Sequence, residues 1–423
     1  MRIDIPYHRE KLSAELPDER VKAVLRPSHR AAPEYSEQET VQRALAHPIA
    51  SLPLSALARK KRHILVITSD HTRPMPSRIT LPLLLEELRH GSPEADIRIL
   101  VATGLHRPAT AEELRAKFGD DICRREHIII HDAFDDAQMV FKGTLPSGGA
   151  LRVNALVDWA DLLLAEGFIE PHFFAGFSGG RKSVLPGICA AESVMYNHNA
   201  AFIAHPHARA GMLEGNPLHQ DMLFAARAAR LSFILNVTLD ENKRITAAFA
   251  GDMEAAHLAG CAAVLHDARV NAVKADIVLT GNGGYPLDQN MYQAVKCMTT
   301  AESCLNEGGV IIAVSACSDG HGGEGFYNWF SKSATPWEIT QKIAAIPPDY
   351  TLPDQWQAQV LARVLQKCRA AILVSRHIDP QIIRGMHMLP ARSIDEAFSL
   401  ADTVLGLARP AVIIPDGVGI IPE

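Results

Sequence analysis

Short apolar runs alternate with stretches of helical periodicity along most of the chain. Continuous runs such as HILVIT (63–68), DIRILVAT (96–103), HIIIH (127–131), ADLLLAEG (160–167) and LSFILNVTL (231–239) read as strands buried on both faces. A second series follows about residue 270: ADIVLTG (275–281), GGVIIAVSA (308–316), AAILVS (370–375) and, more weakly, TVLGLA (403–408). Segments 80–91 and 110–119 carry helical spacing between strands, and Thr110 with Glu113 has the spacing of a capping box. Strands alternating with helices predict an α/β fold with mainly parallel sheets flanked by helices. A chain of 423 residues is long for one core, so two domains are expected. We place them at 1–270 and 271–397, with the Pro-rich end, about 398–423, lying back on the first.

Composition narrows the class without fixing the chemistry. The chain is 47% hydrophobic and 21% charged, and its formal net charge of −6 comes without a Lys/Arg block, which argues against a nucleic-acid partner. The first twenty residues lack the apolar core of a signal peptide, and no run approaches the roughly 18 apolar residues of a membrane span. Seven cysteines with no C-x-x-C pair suit free thiols in a reducing cytoplasm.

Ligands of open α/β sheets bind beyond the carboxyl ends of the strands. That rule selects Asp70 and Arg73 after the first strand, His106 after the second, His172 after ADLLLAEG, and the Asn282–Pro286 turn after ADIVLTG. Arg73 precedes a proline, which favours extended backbone at a rim and suits bidentate binding of a carboxylate; a surface arginine at an ordinary turn is the competing reading. His106 and His172 suit general acid/base work, although a lone histidine is more often structural. His198 in YNHN is a candidate metal ligand or a polar residue at a helix start. His205 and His207 have no carboxylate or cysteine pattern beside them and read as surface residues. His321 lies in a glycine-rich loop and carries only a weak signal.

The stretch AGFSGGRKS, 175–183, nearly matches G-x-x-x-x-G-K-[ST], but Arg181 stands where the second glycine belongs. Gly176, Gly179 and Gly180 still offer amides to a phosphate. Asp161 precedes its strand, so the expected magnesium-binding aspartate is missing, and a true P-loop is disfavoured.

The motifs SDHTRP (69–74), TGLHRP (103–108), EGFIEPHFFAGFSGGRKSVLPGI (166–188), NHN (197–199) and YQAVK (292–296) together resemble the nickel-pincer lactate racemase family. They span residues 60 to 300 in order, and 166–188 is the most specific block. The resemblance implies a racemase or epimerase of a small 2-hydroxy acid acting by proton-coupled hydride transfer. Its cofactor would be a pyridinium-3,5-bisthiocarboxylic acid mononucleotide holding nickel and joined to Lys182, with His198 as the nickel ligand. His106 and His172 would be the acid/base pair, and Arg73 and Lys296 the substrate-binding cations. Asp70, Ser178, Gly179, Gly180, Arg181 and Gln293 would support the cofactor. Because Lys296 follows residue 270, the site would lie in a cleft between domains, and proteins that build the cofactor and insert nickel become expected partners. A kinase or NTPase on the degenerate loop, and a non-enzymatic carrier of the cofactor or a hydroxy acid, are the competing readings.

Overall fold

The computed structural model describes residues 1–27 and 34–423. Two six-stranded sheets organise them. In the first, the strands run in the order Ile245–Gly251, Leu231–Leu239, Leu162–Phe168, His63–Ser69, Asp96–Ala102, His127–Ile130. All neighbours are parallel except the antiparallel edge strand Ile245–Gly251. Leu162–Phe168, Glu166 included, is buried along its whole length, as expected of a strand covered on both faces. The second sheet, Leu389–Ala391, Ala370–Val374, Leu305–Val314, Ala275–Gly281, Ala411–Ile414, Val21–Val24, is parallel throughout. The capping box expected at Thr110 is present, its hydroxyl accepting from the Glu113 amide at 3.2 Å.

Three segments lie elsewhere than the sequence suggests. TVLGLA is not a strand. Thr403–Leu405 close the helix Ile394–Leu405, which Ser393 caps and which stops at Gly406 with φ +77°. The strand is the next apolar run, Ala411–Ile414, and it pairs inside the second sheet rather than lying as a tail on the first domain. Only the extreme end reaches back: Ile421 packs with Ile169, Phe177 and Cys261. Third, the N-terminal hairpin Arg2–Glu15 packs on the second sheet, and Val21–Val24 completes that sheet's edge beside Ala411–Ile414. The alternating apolar residues Ile3, Ile5 and Tyr7 give the hairpin one buried face, but alternation does not say which sheet it covers.

Each sheet has a point where chain order reverses, between His63–Ser69 and Leu162–Phe168 in the first and between Ala275–Gly281 and Ala411–Ile414 in the second. The rims of the two sheets supply opposite walls of one cavity of about 730 Å³, within the usual size of a small-molecule site.

Candidate active site

The first wall is made by strand ends. Asp70, 2% exposed, follows Ser69; its Oδ2 accepts from His106 Nδ1 at 2.7 Å, and its Oδ1 accepts from the Thr72 amide and hydroxyl at 3.1 and 2.6 Å. Burial alone would raise the Asp70 pKa. The bond and charge of His106, with Arg73 and Thr72, outweigh it and hold the carboxyl well below the ordinary range. A carboxylate on Nδ1 fixes the His106 tautomer, leaving Nε2 as the free basic nitrogen. Arg73 donates to the Thr72 hydroxyl at 3.0 Å, and Lys117 secures the same turn from behind through the Arg73 carbonyl at 3.4 Å. Below them Glu166 accepts from the hydroxyls of Thr68, Ser77 and Thr80.

His172 is held the opposite way. Its Nδ1 accepts from the Ala175 amide at 3.3 Å, so the neutral ring carries its proton on Nε2. Its pKa is driven well below the ordinary value, first by burial and then by the charges of Lys182, Lys296 and Arg73. From His172 an aromatic chain runs inward: Phe174 at 4.5 Å between ring centroids, His198 at 5.2 Å from Phe174, and Trp356 at 5.0 Å from His198. His198, 4% exposed, donates Nδ1–H to the Val194 carbonyl at 2.9 Å, which leaves the Nε2 lone pair free. Burial, with Lys182 nearby, lowers its pKa to about 3, so the ring is the neutral imidazole a metal requires. Among the described residues no three His, Cys, Asp or Glu side chains converge as a metal set, so an ion at His198 would need its other donors from a bound group.

Lys182 lines the cavity with its Nζ 5.6 Å from the Phe174 ring centre, and burial followed by the charges of Arg181, Arg73 and Lys296 pushes its pKa well down. Ser178 and Gly179 also line it. Gly180 and Arg181 do not. The Gly180 amide donates to Asn236 Oδ1 at 2.7 Å, and Arg181 points away into the first domain, 1% exposed. Lys182 sits on a four-residue 3₁₀ turn, Gly180–Ser183, rather than at the start of a long helix, so the phosphate cradle of a P-loop is not formed.

The second wall comes from helix Met291–Cys304, which carries Tyr292, Gln293 and Lys296 to the cavity after an Asn290 cap. Burial, then Arg73, lowers Lys296 to about 8. Gln293 Oε1 is buried without a hydrogen-bond partner, an acceptor left for a ligand. The structure therefore brings together Asp70, Arg73, His106, His172, Ser178, Gly179, Lys182, His198, Gln293 and Lys296 around one cavity, and leaves Gly180 and Arg181 behind it. His321 stacks on Tyr327 outside the lining, and His205 and His207 contact each other near the surface.

Sequence reasoning missed the wall supplied by Asp354, Trp356 and Gln357. Trp356 Nε1 donates to the Tyr292 hydroxyl at 2.7 Å, and Gln357 donates to the Tyr292 carbonyl. The signal available was slight: Pro353 before an apolar-periodic run marks a helix start, but nothing in it points at a ligand.

Known proteins resemble this chain over almost its whole length. A family model for the lactate racemase N-terminal domain matches residues 7–211, and one for the C-terminal domain matches 270–422. Lactate racemase of Thermoanaerobacterium thermosaccharolyticum is 51% identical over 423 residues, covering 99% of this chain and 98% of that protein. Lactate racemase of Lactiplantibacillus plantarum is 51% identical over 422 residues, covering 99% of each. The structure of the lactate racemase apoprotein from T. thermosaccharolyticum superposes with a TM-score of 0.96 at 50% identity over the whole of both chains. A crystal structure of a Thermotoga maritima protein, 20% identical over 92% of this chain and 99% of that one, shares the fold with a TM-score of 0.69. With both domains matched and half of all positions identical from end to end, the chain belongs to the lactate racemase family of isomerases.

Proposed function

We propose that the protein interconverts the enantiomers of lactate, or of a closely related small 2-hydroxy acid, with a nickel-pincer nucleotide tethered to Lys182. The observation that carries the reading is the pair His106 and His172, held through Nδ1 in opposite senses and lining one cavity with three cationic side chains. Two relatives at 51% identity bear the name of this activity.

The residues present fit such a cofactor. Lys182 offers an amine whose pKa burial lowers at the cavity wall, His198 offers a free Nε2 with no cluster of other metal-ligating side chains beside it among the described residues, and Ser178 and Gly179 border the same space. When bound, the group supplies the acceptor and donor for the substrate α-hydrogen as hydride. The remaining steps belong to the chain. Arg73 and Lys296, one from each wall, hold the substrate carboxylate, so the other substituents change places about a fixed point. His106 Nε2 takes the hydroxyl proton as the 2-keto acid forms, and Asp70 stabilises the imidazolium this creates. His172 serves the other enantiomer: once protonated to the imidazolium it would give its Nε2 proton to the substrate oxygen and be left as the neutral ring. An anionic substrate between Arg73 and Lys296 offsets two of the charges that depress His172, raising its pKa towards the range useful in proton transfer. Sequestering the reaction between two walls keeps water from competing for the hydride.

Protein co-expressed with cofactor-synthesis and nickel-insertion proteins should show a mass adduct on the peptide containing Lys182, stoichiometric nickel, and inversion of L- and D-lactate by chiral chromatography. Lys182→Ala should lose all three. Loaded protein that inverts no 2-hydroxy acid would reduce the reading to a carrier, and a wild-type protein that never acquires adduct or nickel would overturn it.

A further inference from the structure

Arg181 is the charged member of AGFSGGRKS that the mechanism leaves unused, and it is 1% exposed. Among the described residues no carboxylate pairs with it, and burial lowers its pKa to about 10. A guanidinium held in this way loses its hydration and is tolerated only where its donors are satisfied. Here its donors close on the loop that precedes it. Nη2 donates to the Ala175 carbonyl at 2.7 Å, and Nη1 to the Phe177 carbonyl at 2.8 Å with longer contacts to Ser178 at 3.4 Å and Gly179 at 3.3 Å. Nε donates to His219 Nδ1 at 3.0 Å, and His257 Nε2 lies 3.1 Å from Nη1. Burial and the arginine's own charge hold both histidines neutral; His219 Nδ1 accepts from Nε, while His257 donates its Nε2–H to the Ser178 carbonyl at 2.9 Å and braces the same loop.

We propose that Arg181 is the positioning residue that folds the Ala175–Gly179 backbone around its guanidinium and thereby aims Lys182 into the cavity. The proposal rests on reading Lys182 as the attachment point. Successive residues on a 3₁₀ turn point about 120° apart, so drawing Arg181 inward turns its neighbour Lys182 outward. The other bonds of the loop act in the same sense. Asn236 takes the Gly180 amide, Asn216 donates to the Phe174 carbonyl at 2.8 Å, and the Gly211 amide donates to the Gly176 carbonyl at 2.9 Å. A glycine at 181, as in a P-loop, would leave the carbonyls of Ala175 and Phe177 facing an empty buried space. Lysine would keep the charge but cannot span two carbonyls and His219 at once.

The test is site-resolved acetylation of the apo protein with sulfo-N-hydroxysuccinimide acetate, read by peptide mass spectrometry as the ratio of Lys182 to Lys296 labelling. Lys296 stands on the opposite wall, so a general loss of stability moves both lysines and leaves the ratio unchanged. In folded Arg181→Lys, checked by circular dichroism and gel filtration, the ratio should fall severalfold as Lys182 turns from the cavity. In Arg181→Ala, added methylguanidine should restore it. A folded Arg181→Lys with the wild-type ratio would overturn the proposal. Should that variant not fold, His219→Leu, which removes only the Nε acceptor, should lower the ratio severalfold; an unchanged ratio there overturns it equally. The labelling ratio judges the clamp even in a protein that never acquires cofactor, whereas absence of adduct in the wild type counts against the tether and not against the clamp.

Discussion

His106 and His172 are the same residue type given opposite hands by one bond each. Asp70 fixes the first with a proton on Nδ1, and the Ala175 amide fixes the second with its proton on Nε2. Asp70→Asn should therefore do more than remove a charge, because an amide can donate to Nδ1 and reverse the His106 tautomer. We expect kcat to fall about a hundredfold or more with near-normal circular dichroism, measured as initial rates in both directions. Lys296 gives a pH signature. Its pKa of about 8 means that the ammonium is present below that pH and lost as pH rises through it. The KM for a hydroxy-acid anion should rise above pH 8, and Lys296→Met should show the raised KM at all pH values with little further slope. The rim residues were legible because each follows an apolar run whose carboxyl end fixes its place. Asp354 and Trp356 were not, since a helix start becomes part of a site only through what it faces across the cleft. Arg181 was legible as an anomaly in the motif, but its direction depends on His219, His257 and Asn236, none of them near it in sequence.

At the scale of elements, the loop 175–183 is built to a single shape. Gly179 has φ +75°, and a Cβ there would lie 2.5 Å from Asn236 Oδ1. Gly179→Ala should cost about 1–3 kcal/mol by urea denaturation, combining strained backbone with steric displacement, and should lower cofactor loading in parallel. The turn after strand His127–Ile130 supplies another test. His131, 1% exposed, donates Nε2–H to the Cys189 carbonyl and is lowered to about 4 by burial. An unfolded histidine titrates near 6.5, so between about 6.5 and 4 the unfolded chain binds the extra proton. Stability from this group is complete above that window and falls with pH at up to about 1.4 kcal/mol per unit. Urea midpoints measured from pH 7 to 5 should decline, and more shallowly in His131→Gln. Most strands were legible from their apolar runs. TVLGLA misled because the last turn of an amphipathic helix and a short strand share the same apolar spacing, and only the Ser393 cap and Gly406 stop separate them.

For the whole molecule, the positions of the two sheets make the cavity a property of neither domain alone. The chain begins in the second sheet at Val21–Val24, builds the first sheet from residue 63 onward, and returns to the second at Ala275. Two crossings between the domains restrict relative motion to a hinge. Substrate that bridges Arg73 and Lys296 should narrow the cleft, and small-angle scattering of loaded protein should show a smaller radius of gyration with lactate present; an identical profile would count against closure. Sequence placed the second crossing near 270 from the change of strand series, but it could not see the first, because a strand's own residues do not name its partner.

That early excursion also sets an order of assembly. Val21–Val24 leaves the ribosome long before the strand it pairs with, Ala411–Ile414. At roughly 5–20 residues per second, this edge strand waits tens of seconds for its neighbour while the first sheet has every strand it needs. The hairpin Arg2–Glu15, which folds on its own short turn, is then the local structure that keeps this end of the chain occupied. The edge that closes the second sheet is thus a late, non-local event. A destabilised variant should expose Val21–Val24 to proteases before the strands of the first sheet.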